Sequence, residues 1–345
     1  METGPWVRAT TKPANRENSV KICCQRGSHR FQPKPPLSPL DAMTISRFRQ
    51  AAEAKEFLIT AEVTPPKGGN PERMLAVAAK LRGRVHGVNV TDGSRAVLRM
   101  SSIAACVLLQ QRGIEAICQM TCRDRNLIGL QADLMGAYAL GLRNVLALTG
   151  DPLKAGDHAK ARPVYDLESV RLLSLIRSLN QGLDFNQAPL VDGRLDLFPG
   201  AAVDPQLKSW SGLQSRFERK LTAGAQFFQS QLITDFDRLD KFMTQVAVGC
   251  GKPILAGIFL FKSAKNATFI RRVVPGVNIP DALIDRLARA EDPLKEGVAI
   301  AAEQVKLAKE LCQGVHLMAI KKEELIPEIL DQAGIAPLKG INPQS

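Results

Sequence analysis

The sequence predicts a single (β/α)8 barrel, and three observations carry that prediction. From Glu56 onward, eight short apolar, β-rich runs alternate with amphipathic helical stretches. The runs start 27 to 30 residues apart, with two longer gaps, which is the length of one βα unit and its return. None of them is followed by G-x-G-x-x-G, the fingerprint of the competing doubly wound dinucleotide fold.

The strand runs are FLITAEVT (57–64), VHGVNVT (85–91), EAICQMTC (115–122), NVLALTG (144–150), DLFPGAAV (196–203), QFFQSQLI (226–233), PILAGIFL (253–260) and GVHLMAI (314–320). Between them, residues 70–81 and 126–141 carry apolar side chains at helical spacing. Residues 166–179 repeat that pattern, with Asp166 as the expected N-cap. A polar loop, 180–193, fills the first long gap, and two helices, 280–290 and 294–312, are expected in the second. Met43 opens a further helical stretch. Residues 1–42 precede it with seven Lys/Arg against three Asp/Glu, and with the proline-rich run QPKPPLSPL, which cannot be helix interior. The expected organisation is a disordered basic extension over 1–42, a barrel over 43–338 and a short tail over 339–345. The extension lacks the apolar core of a secretory signal, and a start at Met43 explains it as well as a targeting role does.

Composition narrows the function classes. With 45% hydrophobic and 23% charged residues the chain is ordinary globular material, and it has no apolar run of 18 residues that would span a membrane. The net charge is +12, but the positive residues are scattered singly among acids rather than gathered with aromatics, which argues against nucleic-acid binding. Such a surface suits a polyanionic cofactor or substrate. Seven cysteines form no CxxC pair and no regular framework, so a reducing, cytoplasmic setting is expected. The four histidines are far apart in sequence and predict no metal site.

Barrel enzymes build their sites at the C-terminal ends of the strands. Here those ends carry Glu62; Thr91 and Asp92; Thr121, Asp124, Arg125 and Asn126; Thr149, Gly150 and Asp151; Gln231; and His316. Glu62 closes the first apolar run just before Pro65 and Pro66. A partly desolvated carboxylate on the rim can hold a proton and deliver it, and a structural ion pair is the competing role. In LTGDP, Gly150 permits close backbone approach to a flat ligand, and Asp151 can accept a hydrogen bond or serve as a simple turn residue. Lys220 can meet an anion, and Gln231 is an amide able both to donate and to accept.

The ordered set AEVTPP, VNVTDG, QMTCRDRN, LALTGDP and KLTAGAQFFQSQ resembles the methylenetetrahydrofolate reductase family over roughly residues 47–335. The resemblance implies a flavoprotein barrel. It would reduce 5,10-methylenetetrahydrofolate to 5-methyltetrahydrofolate by ping-pong hydride transfer from NADH or NADPH through FAD, in one-carbon metabolism and methionine supply. On this mapping Glu62 is the acid that protonates N10, Asp151 tunes the flavin and assists folate binding, and Gln231 serves both nicotinamide and pterin. Thr91, Gln119, Thr149, Gly150, Asp151, Tyr165 and Lys220 fall on flavin-contacting positions. A homo-oligomer without adenosylmethionine control is expected.

Several residues depart from the family pattern. AEVTPP stands where many members have EFFPP, Gln119 where they have histidine, and Thr149 where they often have arginine. These differences suggest a divergent prokaryotic branch. They leave two alternatives open: a folate-reducing subunit fed by a partner redox protein, or a folate-binding barrel without flavin.

Overall fold

The computed structural model describes residues 46–158, 160–274 and 276–338, so the expected extension over 1–42 and the tail over 339–345 lie outside the described residues. Eight parallel strands close into a barrel in chain order: β1 (Leu58–Val63), β2 (Gly87–Val90), β3 (Ala116–Thr121), β4 (Asn144–Leu148), β5 (Phe198–Val203), β6 (Phe227–Leu232), β7 (Ile254–Phe259) and β8 (Gly314–Met318), with β8 pairing back onto β1. Every sequence-predicted run contains one of them. The helices are α1 (Arg47–Glu53), α2 (Glu72–Ala79), α3 (Ser102–Gln110), α4 (Leu127–Ala139), α5 (Ser169–Asn180), α6 (Trp210–Ala223), α7 (Phe236–Gln245), α8 (Ala264–Val273), α9 (Asp281–Arg289), α10 (Pro293–Leu311) and α11 (Ile326–Gln332).

Two expectations need correction. The second long gap holds α8 as well as the two helices predicted there. Asp166 does not cap α5: its carboxylate accepts from Leu127 N at the start of α4, and Glu168 caps α5 by accepting from Val170 N. Two carboxylates two residues apart compete for one helix start, and only the tertiary approach of α4 decides between them.

Strand alternation divides the core into two parts. Outward-facing Ile59, Ala61, Val63, Val88, Cys118, Val145, Ala201 and Val315 join the helices in one large apolar cluster. Inside the barrel, Leu58, Ile117, Leu146, Phe198, Phe227 and Leu255 form a second cluster with Phe48 of α1, which closes the N-terminal end. Phe48 meets Phe227 edge-on with ring centres 5.0 Å apart, and Ser46, which caps α1, donates to Asn144 Oδ1 at 2.7 Å. Gly200 is required here because a Cβ would lie 2.2 Å from the Phe227 ring. One turn nearer the C-terminal end the lumen changes character, and Thr60, Asn89, Gln119, Gln229 and His316 are all buried there.

Candidate active site

Above the aromatic plug lies a cavity of about 310 Å³ at the C-terminal end of the barrel. Its polar wall is Glu62, Gln119, Asp204, Arg216, Lys220, Gln229, Ser230, Gln231 and His316, and its apolar wall includes Leu146, Leu148, Leu213, Phe217 and Met318. Of the residues singled out in the sequence, Glu62, Gln119, Lys220, Gln231 and His316 therefore share one space.

Glu62 is the last inward-facing residue of β1 and is paired in register with Asn89. Its side chain keeps 18% exposure, enough to meet a ligand while most of its solvation is lost. Gln119 Nε2 donates to Glu62 Oε2 at 3.5 Å, and His316 Nε2 lies 3.8 Å from the same oxygen. Among the described residues no lysine or arginine ion-pairs with Glu62. Lys67, its nearest basic neighbour in sequence, pairs with Asp157 instead. The structural ion-pair role considered for Glu62 thus has no lysine or arginine partner.

Lys220, on the last turn of α6, is half-buried and donates to Ala202 O at 2.6 Å; the loss of solvent pushes its ammonium below the ordinary value. The Gln231 amide makes no donor contact among the described residues, and its Oε1 accepts from Leu232 N at 2.9 Å. Asp204, Arg216, Gln229 and Ser230 also line the cavity and were not singled out as site residues in the sequence. Asp204 follows β5, and burial raises its carboxyl above the ordinary carboxylate range. Gln229 stands two residues before Gln231, and that spacing of two on one strand was the available signal that both amides face inward.

The strand-four residues sit elsewhere. Thr149, Gly150, Asp151 and Tyr165 do not line this cavity. The Asp151 carboxylate accepts from Arg95 N at 2.6 Å, and Tyr165 donates its hydroxyl to Asp151 O at 3.1 Å. Thr149 Oγ1 accepts from Ser169 N at 3.1 Å. Gly150 has φ 97°, and the space a Cβ would take lies 2.9 Å from Arg123 Cβ, so its close backbone approach is to the protein itself.

Arg123 holds this loop cluster together and was not foreseen. It is 3% exposed, pairs with Asp124, and donates to both Gly93 O and Asp151 O, tying the loop after β2 to the loop after β4. Beside it, Asp92 accepts from Thr121 N, Thr121 Oγ1 and Arg125 Nη1 at 2.8, 2.9 and 2.6 Å. Burial works against the charge of Arg125, but Asp92 and Asp133 outweigh it and hold the guanidinium above its ordinary value.

Several buried polar atoms have no partner among the described residues: both amide atoms of Asn89, Thr91 Oγ1 and Gln229 Oε1. Native interiors leave few such groups unpaired, and of these Gln229 lines the cavity, where a hydrogen-bonding ligand would meet its free oxygen. A fused heterocycle rich in N–H and C=O groups suits the amides, and an anionic appendage suits Lys220 and Arg216.

Residues 47–334 match the family model for methylenetetrahydrofolate reductase. The chain belongs to the methylenetetrahydrofolate reductase family. Among its relatives are a probable methylenetetrahydrofolate reductase (NADPH) of Caenorhabditis elegans, 27% identical over 255 residues, and a 5,10-methylenetetrahydrofolate reductase of Pectobacterium carotovorum, 26% identical over 258 residues. The matched parts cover 71% and 72% of this chain respectively. They cover 36% of the C. elegans protein and 80% of the bacterial one, so the chain spans about a third of the first of these relatives. A Clostridium thermocellum structure described as binding two copies of 5-methyl-5,6,7,8-tetrahydrofolic acid superposes with a TM-score of 0.59, 16% identity, and coverage of 84% of this chain and 100% of that one. At that identity the likeness concerns the fold. No helix among the described residues is long and apolar enough to cross a membrane.

Proposed function

We propose that this chain reduces 5,10-methylenetetrahydrofolate to 5-methyltetrahydrofolate, with electrons from NADH or NADPH carried through FAD. The observation that carries the reading is the cavity itself: in a chain of this family, a carboxylate without a cationic partner faces three amides across one ring-sized space. A cavity of this volume is at the small end of ligand pockets, which run from roughly 300 to 1,000 Å³.

Bound FAD would supply a hydride carrier able to accept from a nicotinamide and donate to a carbon electrophile. Gln119 and Lys220 would hold it from the cavity, and Thr91, Thr149, Gly150, Asp151 and Tyr165 from the adjoining loops. Glu62 would carry the proton. In its acid form it protonates N10 of the folate, the bond from N10 to the methylene carbon breaks, and an N5 iminium forms. Hydride then reaches the methylene carbon and leaves a methyl group. Gln231 offers both a donor and an acceptor to the pterin and nicotinamide amides in turn, and Asp151 is assigned the flavin-tuning role.

Purified protein tests the reading. Yellow protein whose flavin band bleaches anaerobically with NADH or NADPH supports it. A flavin band that neither nucleotide bleaches points to a partner protein as electron donor. Colourless protein that still converts the folate would refute the flavin assignment.

A further inference from the structure

Glu62 stands at the end of a hydrogen-bond chain that crosses the barrel lumen. Gln229 Nε2 donates to Thr60 Oγ1 at 3.2 Å, and Thr60 Oγ1 lies 2.9 Å from His316 Nδ1. His316 Nε2 in turn faces Glu62 Oε2 at 3.8 Å. Gln229, Thr60 and His316 are 3%, 0% and 4% exposed, and Thr60 is paired with His316 in the β1–β8 register, so the ring is held on a rigid frame.

The chain has a direction. A threonine hydroxyl carries one hydrogen, and Thr60 already accepts from Gln229. Two acceptors remain for that hydrogen, His316 Nδ1 at 2.9 Å and Val315 O at 3.5 Å, and the shorter contact is the stronger. Nδ1 is then the acceptor of a neutral ring, which puts the ring proton on Nε2, facing Glu62. Gln119 Nε2 points at the same carboxylate oxygen. Two N–H donors from β3 and β8 thus converge on one oxygen of the acid.

We propose that His316 is a positioning residue for Glu62. Held by Thr60 and Gln229 with its Nε2–H toward the carboxylate, it stabilises the negative charge left when Glu62 gives its proton to N10. The 3.8 Å gap shortens as that charge develops, since catalytic contacts are commonly long before substrate binds. No proton leaves His316 in this step: the N–H stays on the ring, and Glu62 regains its proton from solvent through the cavity mouth. The charged groups that share the cavity with this pair are Asp204, Arg216 and Lys220; β3 and β6 line it with the neutral Gln119, Gln229, Ser230 and Gln231, and neutral Asn89 stands beside Glu62 in the β1–β2 register. The open end of the chain is Gln229 Oε1, a buried acceptor without a partner.

The identity of the proton acceptor rests on the reductase reading, whereas the chain does not, and the test separates them. Turnover of methylenetetrahydrofolate is followed against pH for the full chain and for His316→Gln, His316→Asn, His316→Leu, Thr60→Ser and Thr60→Val. A glutamine amide reaches the place of Nε2 and an asparagine amide only that of Nδ1. The expected order of kcat is therefore wild type, then His316→Gln, then His316→Asn and His316→Leu, the last two lower by about tenfold or more. Loss of the donor leaves Glu62 protonated to higher pH, so the alkaline limb of kcat moves up in pH while its plateau falls. A merely structural histidine would lower the plateau and leave the limb in place, and that result would overturn the proposal. Thr60→Ser should retain the wild-type profile and Thr60→Val should follow His316→Asn. Independently of turnover, ¹⁵N NMR of the His316 ring should show the proton on Nε2; a ring protonated on Nδ1 alone overturns the proposal even in an active enzyme. An Nε2–H ring in a protein that reduces no folate with any donor would leave the chain standing and remove the reductase reading.

Discussion

Replacing Asp92 by alanine should destabilise the barrel by about 3 kcal/mol. The carboxylate is 8% exposed and receives two hydrogen bonds from Thr121 and a short one from Arg125. Alanine removes these contacts, together with a fourth from Arg125 Nη2 at 3.3 Å, and leaves a largely buried guanidinium facing an apolar methyl. Breaking a buried pair in this way costs about 3–5 kcal/mol. Arg125 keeps its 2.7 Å contact with Asp133, whose side chain is 41% exposed, so the lower figure of about 3 kcal/mol applies here. For a domain of this size that is a fall in thermal midpoint of roughly 6–12 °C, read by calorimetry or circular dichroism. Most of the cost is the stranded charge rather than the lost bonds. Asp92→Ala combined with Arg125→Met should therefore recover at least half of the loss. A single variant within about 0.5 kcal/mol of wild type, or a double variant worse than the sum of the two singles, would refute the reasoning.

Glu62→Gln should leave nicotinamide oxidation by the protein near its normal rate while slowing the folate half-reaction by about 10²–10⁴-fold, measured by anaerobic stopped flow; equal survival of both halves would remove the acid role. Gly200→Ala should cost about 1–3 kcal/mol in denaturant midpoint, because a Cβ there meets the Phe227 ring at 2.2 Å inside the aromatic plug. His86 accepts from Ile59 N through Nδ1 at 3.0 Å, and burial holds it below its ordinary value of 6.5. Its neutral form is therefore favoured by folding, and its contribution is fully present above pH 6.5 and lost as pH falls through the lowered folded value. Removing it by His86→Gln should flatten the decline in stability on that acid side, and an unchanged slope would count against the assignment. Lys220→Met should weaken retention of an anionic cofactor by about tenfold, measured by flavin loss on dilution, without lowering the thermal midpoint of the cofactor-free protein.

The fold was legible because burial on both faces makes parallel strands continuous apolar runs, and the helices between them set a regular spacing. The second long gap was harder. α8 carries Lys265 and Asn266 near its start and Arg271 and Arg272 at its end, which mask its short apolar stripe. The site was legible where a polar residue ends a single strand, as at Glu62 and Gln231. The arrangement was not legible where it depends on pairs far apart in sequence. Nothing local to Arg123 shows that it reaches Gly93 and Asp151 across two loops, and nothing local to Asp151 shows that Arg95 N takes its carboxylate. His316 stood out only as a strand-end residue; its bond to Thr60 follows from barrel closure, which brings β8 beside β1.

The most direct test of the account is a single turnover. Protein carrying reduced flavin is mixed anaerobically with 5,10-methylenetetrahydrofolate, and the products are separated by mass. One 5-methyltetrahydrofolate should form for each flavin reoxidised, with the yield from Glu62→Gln delayed by orders of magnitude. Reoxidation without methyl product, or methyl product at the same rate from Glu62→Gln, would contradict it.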